Sequence, residues 1–301
     1  MPSGKEMRLR IRSIKNLAQV TKALETVSAS KVRKAVQAVS ATQPYAEKAW
    51  KVLVHLARQP GHAMLHPLLT QREQVKKILV IVISSDRGLA GSYNVNIVRH
   101  TLQRFHKSEK PVEYITVGRK GRDMLIRRGC KVMAEFSDIA NVPTFADLST
   151  VGRLAINSYL DGNVDEVYVA YTQFRNMVRQ EPVIEKLLPM DIEVTGQTHG
   201  GMTTHPSTAV FLYEPDETGL LDEIIPRFTA LQVYQAVLSA QASEHAARMV
   251  SMRNATDSAR ELGAILQMDY NKARQQTITN EMLDIAGGAN ALAESMAGKA
   301  R

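Results

Sequence analysis

The sequence predicts an α/β fold with long terminal helices, in which an antiparallel two-helix coiled coil flanks a small, Rossmann-like, mostly parallel α/β domain. Three observations predict this fold. The first segment contains almost no helix breakers, the last third is nearly free of Gly and Pro, and β-branched runs alternate with helical stretches between them. The chain therefore divides into a helix at 1–60, an α/β domain at 61–210 and a second helix at 211–301.

The N-terminal segment has the pattern of one long amphipathic helix. From Lys5 to Gln59 the only breaker is Pro44, and Pro60-Gly61 closes the segment. Apolar residues recur at steps of three and four, as one helix face requires, at Ile14, Leu17, Val20, Leu24 and Val27. Ala and Ser fill many of the other positions, which allows a partner helix to approach closely. We expect an irregular pairing along this face rather than a uniform zipper.

The central segment alternates predicted strands with predicted helices. The strands are expected at Lys77–Ser84, Val112–Val117 and Val164–Tyr171. The helices are expected at Asn94–His106, Gly121–Arg128 and Ala146–Leu160. This alternation predicts a small, mostly parallel sheet. Gly196–Ser207 is rich in Gly, Thr and His without an apolar period, and is predicted to be a loop.

The C-terminal third predicts a helix of unusual length. No Gly or Pro occurs from Arg227 to Leu262, and after Gly263 none occurs until Gly287. A continuous helix of about 70 residues would be about 105 Å long, more than a single compact core can bury. Such a helix needs a partner along its length. The N-terminal helix is the remaining candidate, so we expect an antiparallel pair in which the C-terminal helix overhangs.

Positive charge is concentrated at the N-terminus. Residues 1–60 contain 12 basic and 3 acidic residues, a net +9, whereas the whole chain carries +8. Such a segment implies an acidic partner, either nucleic acid, anionic lipid or protein. The basic residues interleave with the apolar face rather than forming a separate DNA-binding arm. The stretch also lacks the large apolar face of an interfacial helix. An acidic protein partner remains open, as does a merely solvated basic face.

Ser84–Asn94 is the most informative short motif. It follows a predicted strand, contains two glycines and an Asp-Arg pair, and precedes a predicted helix. A phosphate-binding loop is one interpretation, because N–H groups at a helix start attract anions. The lysine and Ser/Thr of a P-loop and the three glycines of a dinucleotide motif are missing, so a structural turn is favoured.

Other chemistry-bearing residues are scattered. The single Cys130 excludes an internal disulfide and a cysteine-based zinc cluster. His62 and His66 have a metal-ligand spacing, but Pro and Gly flank them and no third ligand is near. We expect no catalytic group, no cofactor and no metal. The longest apolar run, Ile78–Ile83, is too short to cross a bilayer, so any membrane role is expected from outside the lipid.

Several motifs together resemble the gamma subunit of bacterial F-type ATP synthases. The N-terminal part of the resemblance lies in Lys5–Arg8, Val20–Glu25 and Val27–Lys34, and the central part in Ser84–Asn94, with Ala90 where a Cys is common. The C-terminal part lies in Phe211–Pro215, Gln232–Gln235, Ala242–Met249, Tyr270–Gln275 and Ile278–Thr279. The likeness spans nearly the whole chain; the tail Asn290–Arg301 runs past the usual family end.

This resemblance implies a non-catalytic rotor shaft inside a ring of three alpha and three beta subunits. It implies further contacts with the epsilon subunit and the membrane c ring, and a peripheral position at the cytoplasmic face of the cell membrane. It assigns beta-subunit contacts to Lys31, Arg33, Lys34, Arg274, Gln275 and Thr279, and the foot near the c ring to Phe211 and Glu214. Nucleic acid and a small-molecule substrate are not expected.

Two other functions remain as alternatives. A nucleotide-binding enzyme built on the α/β domain would bind ATP tightly as the isolated chain. A basic coiled-coil nucleic-acid binder would show a DNA affinity that falls steeply with salt.

Overall fold

The computed structural model describes residues 4–57, 66–72, 74–106, 108–140, 142–190 and 217–299. Two compact units are present. One combines Met1–Thr26 with Met252–Arg301, and the other is Val27–Ser251. Two long helices, α1 (Gly4–Ala57) and α5 (Glu217–Lys299), contribute a segment to each unit. Phe211, Glu214 and the loop predicted at Gly196–Ser207 lie outside the described residues. The three-part division of the sequence stays a prediction.

The larger unit is built on a five-stranded sheet. Its strands are β1 (Ile78–Ile83), β2 (Val112–Val117), β3 (Lys131–Phe136), β4 (Glu166–Phe174) and β5 (Gln180–Leu188). Their order is β3-β2-β1-β4-β5. The pairs β1·β2, β1·β4 and β2·β3 are parallel, and β4·β5 is antiparallel. The prediction of a mostly parallel sheet is confirmed.

Helices cover both faces of this sheet. The helices α2 (Tyr93–Phe105) and α3 (Arg119–Ile126) cover one face, where Ile97 and Leu125 join the buried core. The helix α4 (Phe145–Leu160) and segments of α1 and α5 cover the other face. In that second core the rings of Trp50 and Phe228 stack with centroids 5.4 Å apart. This is the doubly wound arrangement that alternating strands and helices predict.

The smaller unit pairs the start of α1 with the C-terminal part of α5. Arg8 Nε donates to the Tyr270 hydroxyl at 2.6 Å, and Thr256 Oγ1 donates to Thr21 Oγ1 at 2.7 Å. Gly263 faces Ile14 between these two contacts. As the residue number rises on one helix it falls on the other, so the predicted antiparallel pair of helices is confirmed.

The buried face of α1 differs from the predicted stripe. Leu17, Val20 and Val27 are at least half exposed. The buried positions are spaced like a heptad seam and include hydroxyl and small residues: Ile11, Thr21, Ser28, Val32 and Ala35. The predicted stripe was wrong at these three positions, whereas its other two members, Ile14 and Leu24, are half-buried. Small residues let the helices approach closely, and a buried hydroxyl can bond within its own helix. Thr21 does so by donating to the Leu17 carbonyl at 3.0 Å.

Candidate functional site

The basic face of α1 is one candidate site. Arg33 and Lys34 are exposed, and no carboxylate of the described residues pairs with either cation. Lys31 is only half-buried. Both cations are therefore exposed to solvent and make no ion pair with the described residues.

Lys31 lies instead beside a polar cavity of the larger unit. This cavity has a volume of about 330 Å³, and Asp86, Arg87, Glu244 and Arg248 also line it. The charge of Lys31 acts on Glu244, where it favours the ionised carboxyl, and on the neighbouring His245. The structure therefore separates Lys31 from Arg33 and Lys34, because Lys31 takes part in the electrostatics of its own fold.

A largely buried ion pair between Glu244 and Arg248 of α5 lines this cavity. Arg248 Nη2 lies 2.6 Å from a Glu244 carboxylate oxygen, and the side chains are only 12% and 15% exposed. Burial raises the pKa of the Glu244 carboxyl, although the Arg248 charge opposes the shift. Burial, Arg248 and Lys31 together lower the pKa of His245 to about 4. Two sequence signals point to these residues, the Glu-Arg spacing of four and the family motif Ala242–Met249, but neither predicts that the pair lies beside a cavity.

The loop Ser84–Asn94 is a structural turn at the end of β1. The Asp86 carboxylate accepts hydrogen bonds from the backbone N–H groups of Arg119 and Asp138, each at 3.0 Å, and so connects the loops after β1, β2 and β3. The Asn94 side chain accepts from Ser85 N at 2.9 Å. A Cβ atom added at Gly91 would lie 2.7 Å from Ser251 Oγ of α5. With α5 this close to the loop, the turn interpretation is the one that the geometry supports.

The α5 segment from Tyr234 to Arg248, here called the crossing segment, covers the carboxyl ends of the parallel strands. Ser243 Oγ donates to Thr172 O of β4 at 2.9 Å, and Gln241 Nε2 donates to Ala140 O after β3 at 2.9 Å. Arg248 Nε donates to Gly88 O after β1 at 3.3 Å. Open α/β sheets bind ligands outside the carboxyl ends of their strands. In this fold the crossing segment covers part of that edge, and the cavity of about 330 Å³ remains beside it.

The second group of predicted contacts lies on α5 in the smaller unit. Arg274, Gln275 and Thr279 are all exposed. The Thr279 hydroxyl donates to the Gln275 carbonyl at 2.9 Å, as is usual for a helical threonine facing water. Large apolar side chains follow on the same helix, with Met282, Leu283 and Ile285 all more than 60% exposed. This part of α5 therefore exposes both polar and apolar side chains.

His66 serves the fold of the larger unit. Its Nδ1 accepts from Leu68 N at 3.2 Å, and its Nε2 lies 3.2 Å from an Asp222 carboxylate oxygen. Burial lowers the pKa of His66, although Asp222 opposes the shift. Among the described residues no group of three or more His, Cys, Asp or Glu side chains is placed to hold a metal ion.

None of the described helices is both long enough and apolar enough to span a membrane.

Comparison with known proteins shows the family. A family model described as ATP synthase matches residues 3–292. The "ATP synthase gamma chain" of Roseiflexus castenholzii is 44% identical over 98% of this chain and 100% of its own length. The gamma chain of Dehalococcoides mccartyi is 43% identical over 94% of this chain and 97% of its own length.

Solved structures show the same fold at lower identity. A chain of the Euglena gracilis mitochondrial ATP synthase, from the OSCP/F1/c-ring assembly, matches with a TM-score of 0.65. It is 20% identical, and the match covers 96% of this chain and 94% of that one. A chain of the Tetrahymena thermophila central stalk and c ring gives a TM-score of 0.61 at 23% identity, covering 78% of this chain and 99% of that one. With nearly its whole length matched by curated gamma chains, the chain belongs to the ATP synthase gamma family.

Proposed function

We propose that this chain is the central-stalk rotor subunit of a proton-translocating F-type ATP synthase. In this role it couples rotation of the membrane c ring to the conformational cycle of the catalytic beta subunits. The observation that carries the proposal is the match to curated gamma chains along their entire length. The solved relatives come from complexes described as central stalk, rotor and c ring.

The proposed mechanism needs no catalytic group in this chain. An asymmetric shaft inside a three-fold ring makes different contacts with each beta subunit, and each contact stabilises a different nucleotide-binding state. Rotation then moves that bias from one catalytic site to the next. The crossing segment has a structural role in this account, because its side chains bond to the backbone at Thr172 and Ala140. We therefore propose no cofactor and no small-molecule substrate.

The beta-subunit contacts are proposed on two exposed surfaces. Arg33 and Lys34 supply unpaired positive charge, which suits an acidic loop of a beta subunit. Arg274, Gln275 and Thr279 supply a polar patch for a second beta-subunit loop. Lys31 is retained as a weaker candidate because it is half-buried. Phe211 and Glu214 remain the proposed foot at the c ring, and the epsilon subunit is proposed beside them.

The proposed location is the cytoplasmic face of the cell membrane, where the chain is held through the c ring. The described helices contain no span that would insert by itself. Peripheral attachment through protein contacts is consistent with that finding.

Native mass spectrometry of the complex purified through this chain tests the proposal. The expected complex has one copy of the chain with three copies each of two larger subunits. Recovery of a monomer or a homodimer that binds ATP tightly would favour the nucleotide-binding alternative instead. Recovery with DNA, released by salt, would favour the nucleic-acid alternative.

A further inference from the structure

The crossing segment makes hydrogen bonds to the α/β domain on two opposite sides of the helix. Tyr234, Gln241 and Arg248 are spaced seven residues apart, about two helical turns, so they lie on one side of α5. Ser239 and Ser243 lie about 140–180° around the helix from Tyr234, at about 100° per residue, and so form the other side.

The first side bonds to the loops after β3 and β1. The Tyr234 hydroxyl donates to Pro143 O at 3.1 Å, and Gln241 Nε2 donates to Ala140 O at 2.9 Å. Arg248 Nε reaches Gly88 O at 3.3 Å.

The second side bonds to the end of β4. Phe174 N donates to Ser239 Oγ at 3.0 Å, and Ser243 Oγ donates to Thr172 O at 2.9 Å. Ser243 is fully buried, so its bond is shielded from competing water.

Bonds on opposite sides of a cylinder resist its rotation about its own axis. Turning α5 within the α/β domain would displace both sets of donors and acceptors sideways in opposite directions. Apolar packing alone is non-directional and resists such a turn less strongly. Hydrogen bonds weaken steeply as they become misaligned.

We propose that these two sets of hydrogen bonds form the joint that transmits torque between the α/β domain and the helix α5. Ser239 and Ser243 are positioning residues of this joint. The inference rests on the proposed rotor function, and it assigns the site of torque transfer within the chain to the carboxyl edge of the sheet.

The test uses the assembled complex in vesicles and a Ser239→Ala/Ser243→Ala double variant. A matched control is the double variant Ser158→Ala/Thr229→Ala, because both of those buried hydroxyls bond only to their own helices, at Leu154 O and Ile225 O. ATP hydrolysis, ATP-driven proton uptake and hydrogen exchange at the Phe174 amide are measured in each complex.

For the joint variant we expect unchanged ATP hydrolysis and a loss of protons pumped per ATP hydrolysed. Hydrogen exchange at the Phe174 amide should rise about fivefold, the factor that one net hydrogen bond is worth. The control should keep full pumping. If both double variants pump as well as the unmodified complex, these hydrogen bonds do not transmit the torque, and the proposed rotor function is unaffected. If the unmodified complex itself fails to couple hydrolysis to pumping, the proposed function is what fails.

Discussion

At the scale of single residues, Gly118 has the least room for a side chain among the glycines that the structure describes. Its φ is +102°, a region that L side chains rarely adopt, and an added Cβ would lie 2.4 Å from Ser84 O. Replacement of Gly118 by Ala is expected to lower the free energy of unfolding by about 2–4 kcal/mol, through strain and displacement of β1 from β2. Urea unfolding of the purified chain measures this loss.

Gly129 is the control for that substitution. Its φ is +75°, but no atom lies within 4 Å of the added Cβ. Gly129→Ala should therefore cost about 1 kcal/mol, from the backbone conformation alone. Equal losses at both positions would contradict the proposed contact between Gly118 and Ser84.

The lowered pKa of His245 should make the stability of the fold depend on pH. Its pKa is lowered from 6.5 to about 4 in the folded chain, so between these values the unfolded chain binds a proton that the folded chain does not. Stability must then fall as pH falls through this window, by up to about 1.4 kcal/mol per pH unit. Denaturant unfolding between these pH values should show a smaller slope for His245→Gln than for the unmodified chain. Identical slopes would show that His245 does not stay neutral in the fold.

At the scale of elements, two valines of α1 differ in burial and so should differ in their contribution to stability. Val32 is fully buried, whereas Val27, which belongs to the predicted apolar stripe, is 52% exposed. Val32→Ala should lower the free energy of unfolding by about 2 kcal/mol. Val27→Ala should change it by less than about 0.5 kcal/mol. Thermal or urea unfolding of the two variants distinguishes the buried seam from the exposed stripe, and the reverse order would restore the predicted stripe.

The elements that the sequence predicted are those with strong, continuous patterns. Three strands and three helices of the α/β domain were predicted within three residues of their observed ends. β3 was missed because it is a short edge strand whose residues alternate between exposed and half-buried positions. β5 was missed because it contains Pro182 and the charged residues Glu181, Glu185 and Lys186, all of which usually argue against a strand.

The candidate site was only partly accessible to sequence reasoning. Arg33 and Lys34 could be identified from charge and family resemblance, and both are exposed. The half-buried state of Lys31 and its effect on Glu244 depend on how α1 lies beside α5 in the larger unit, which no local pattern reports. The same holds for the hydrogen bonds from the crossing segment to β4 and to the loops after β1 and β3, because each of these joins residues distant in sequence.

At the scale of the whole molecule, the positive charge of α1 should matter only in the assembled complex. Charge reversal by Arg33→Glu/Lys34→Glu is expected to leave the chain folded and to lower protons pumped per ATP, because acidic beta-subunit loops would then be repelled. Exposed ion pairs are screened by salt, so the defect should be larger at low ionic strength. Proton uptake and ATP hydrolysis in vesicles measure the coupling.

Lys48→Glu/Lys51→Glu supplies the matched control for this charge reversal. These lysines are also exposed on α1, and the substitution makes the same change in net charge. A specific role for Arg33 and Lys34 requires that the control retain coupling. Full coupling in both variants would show that the positive charges of Arg33 and Lys34 are not needed for coupling.

The central claim is that this chain turns inside its complex while the catalytic subunits hydrolyse ATP. The most direct measurement fixes the catalytic ring to a surface and attaches a bead to a cysteine introduced at Val178, which is 87% exposed between β4 and β5, in a Cys130→Ser background. We predict unidirectional rotation of the bead on addition of ATP, in steps that follow the three-fold ring. A bead that stays fixed while the same complex hydrolyses ATP would contradict the account.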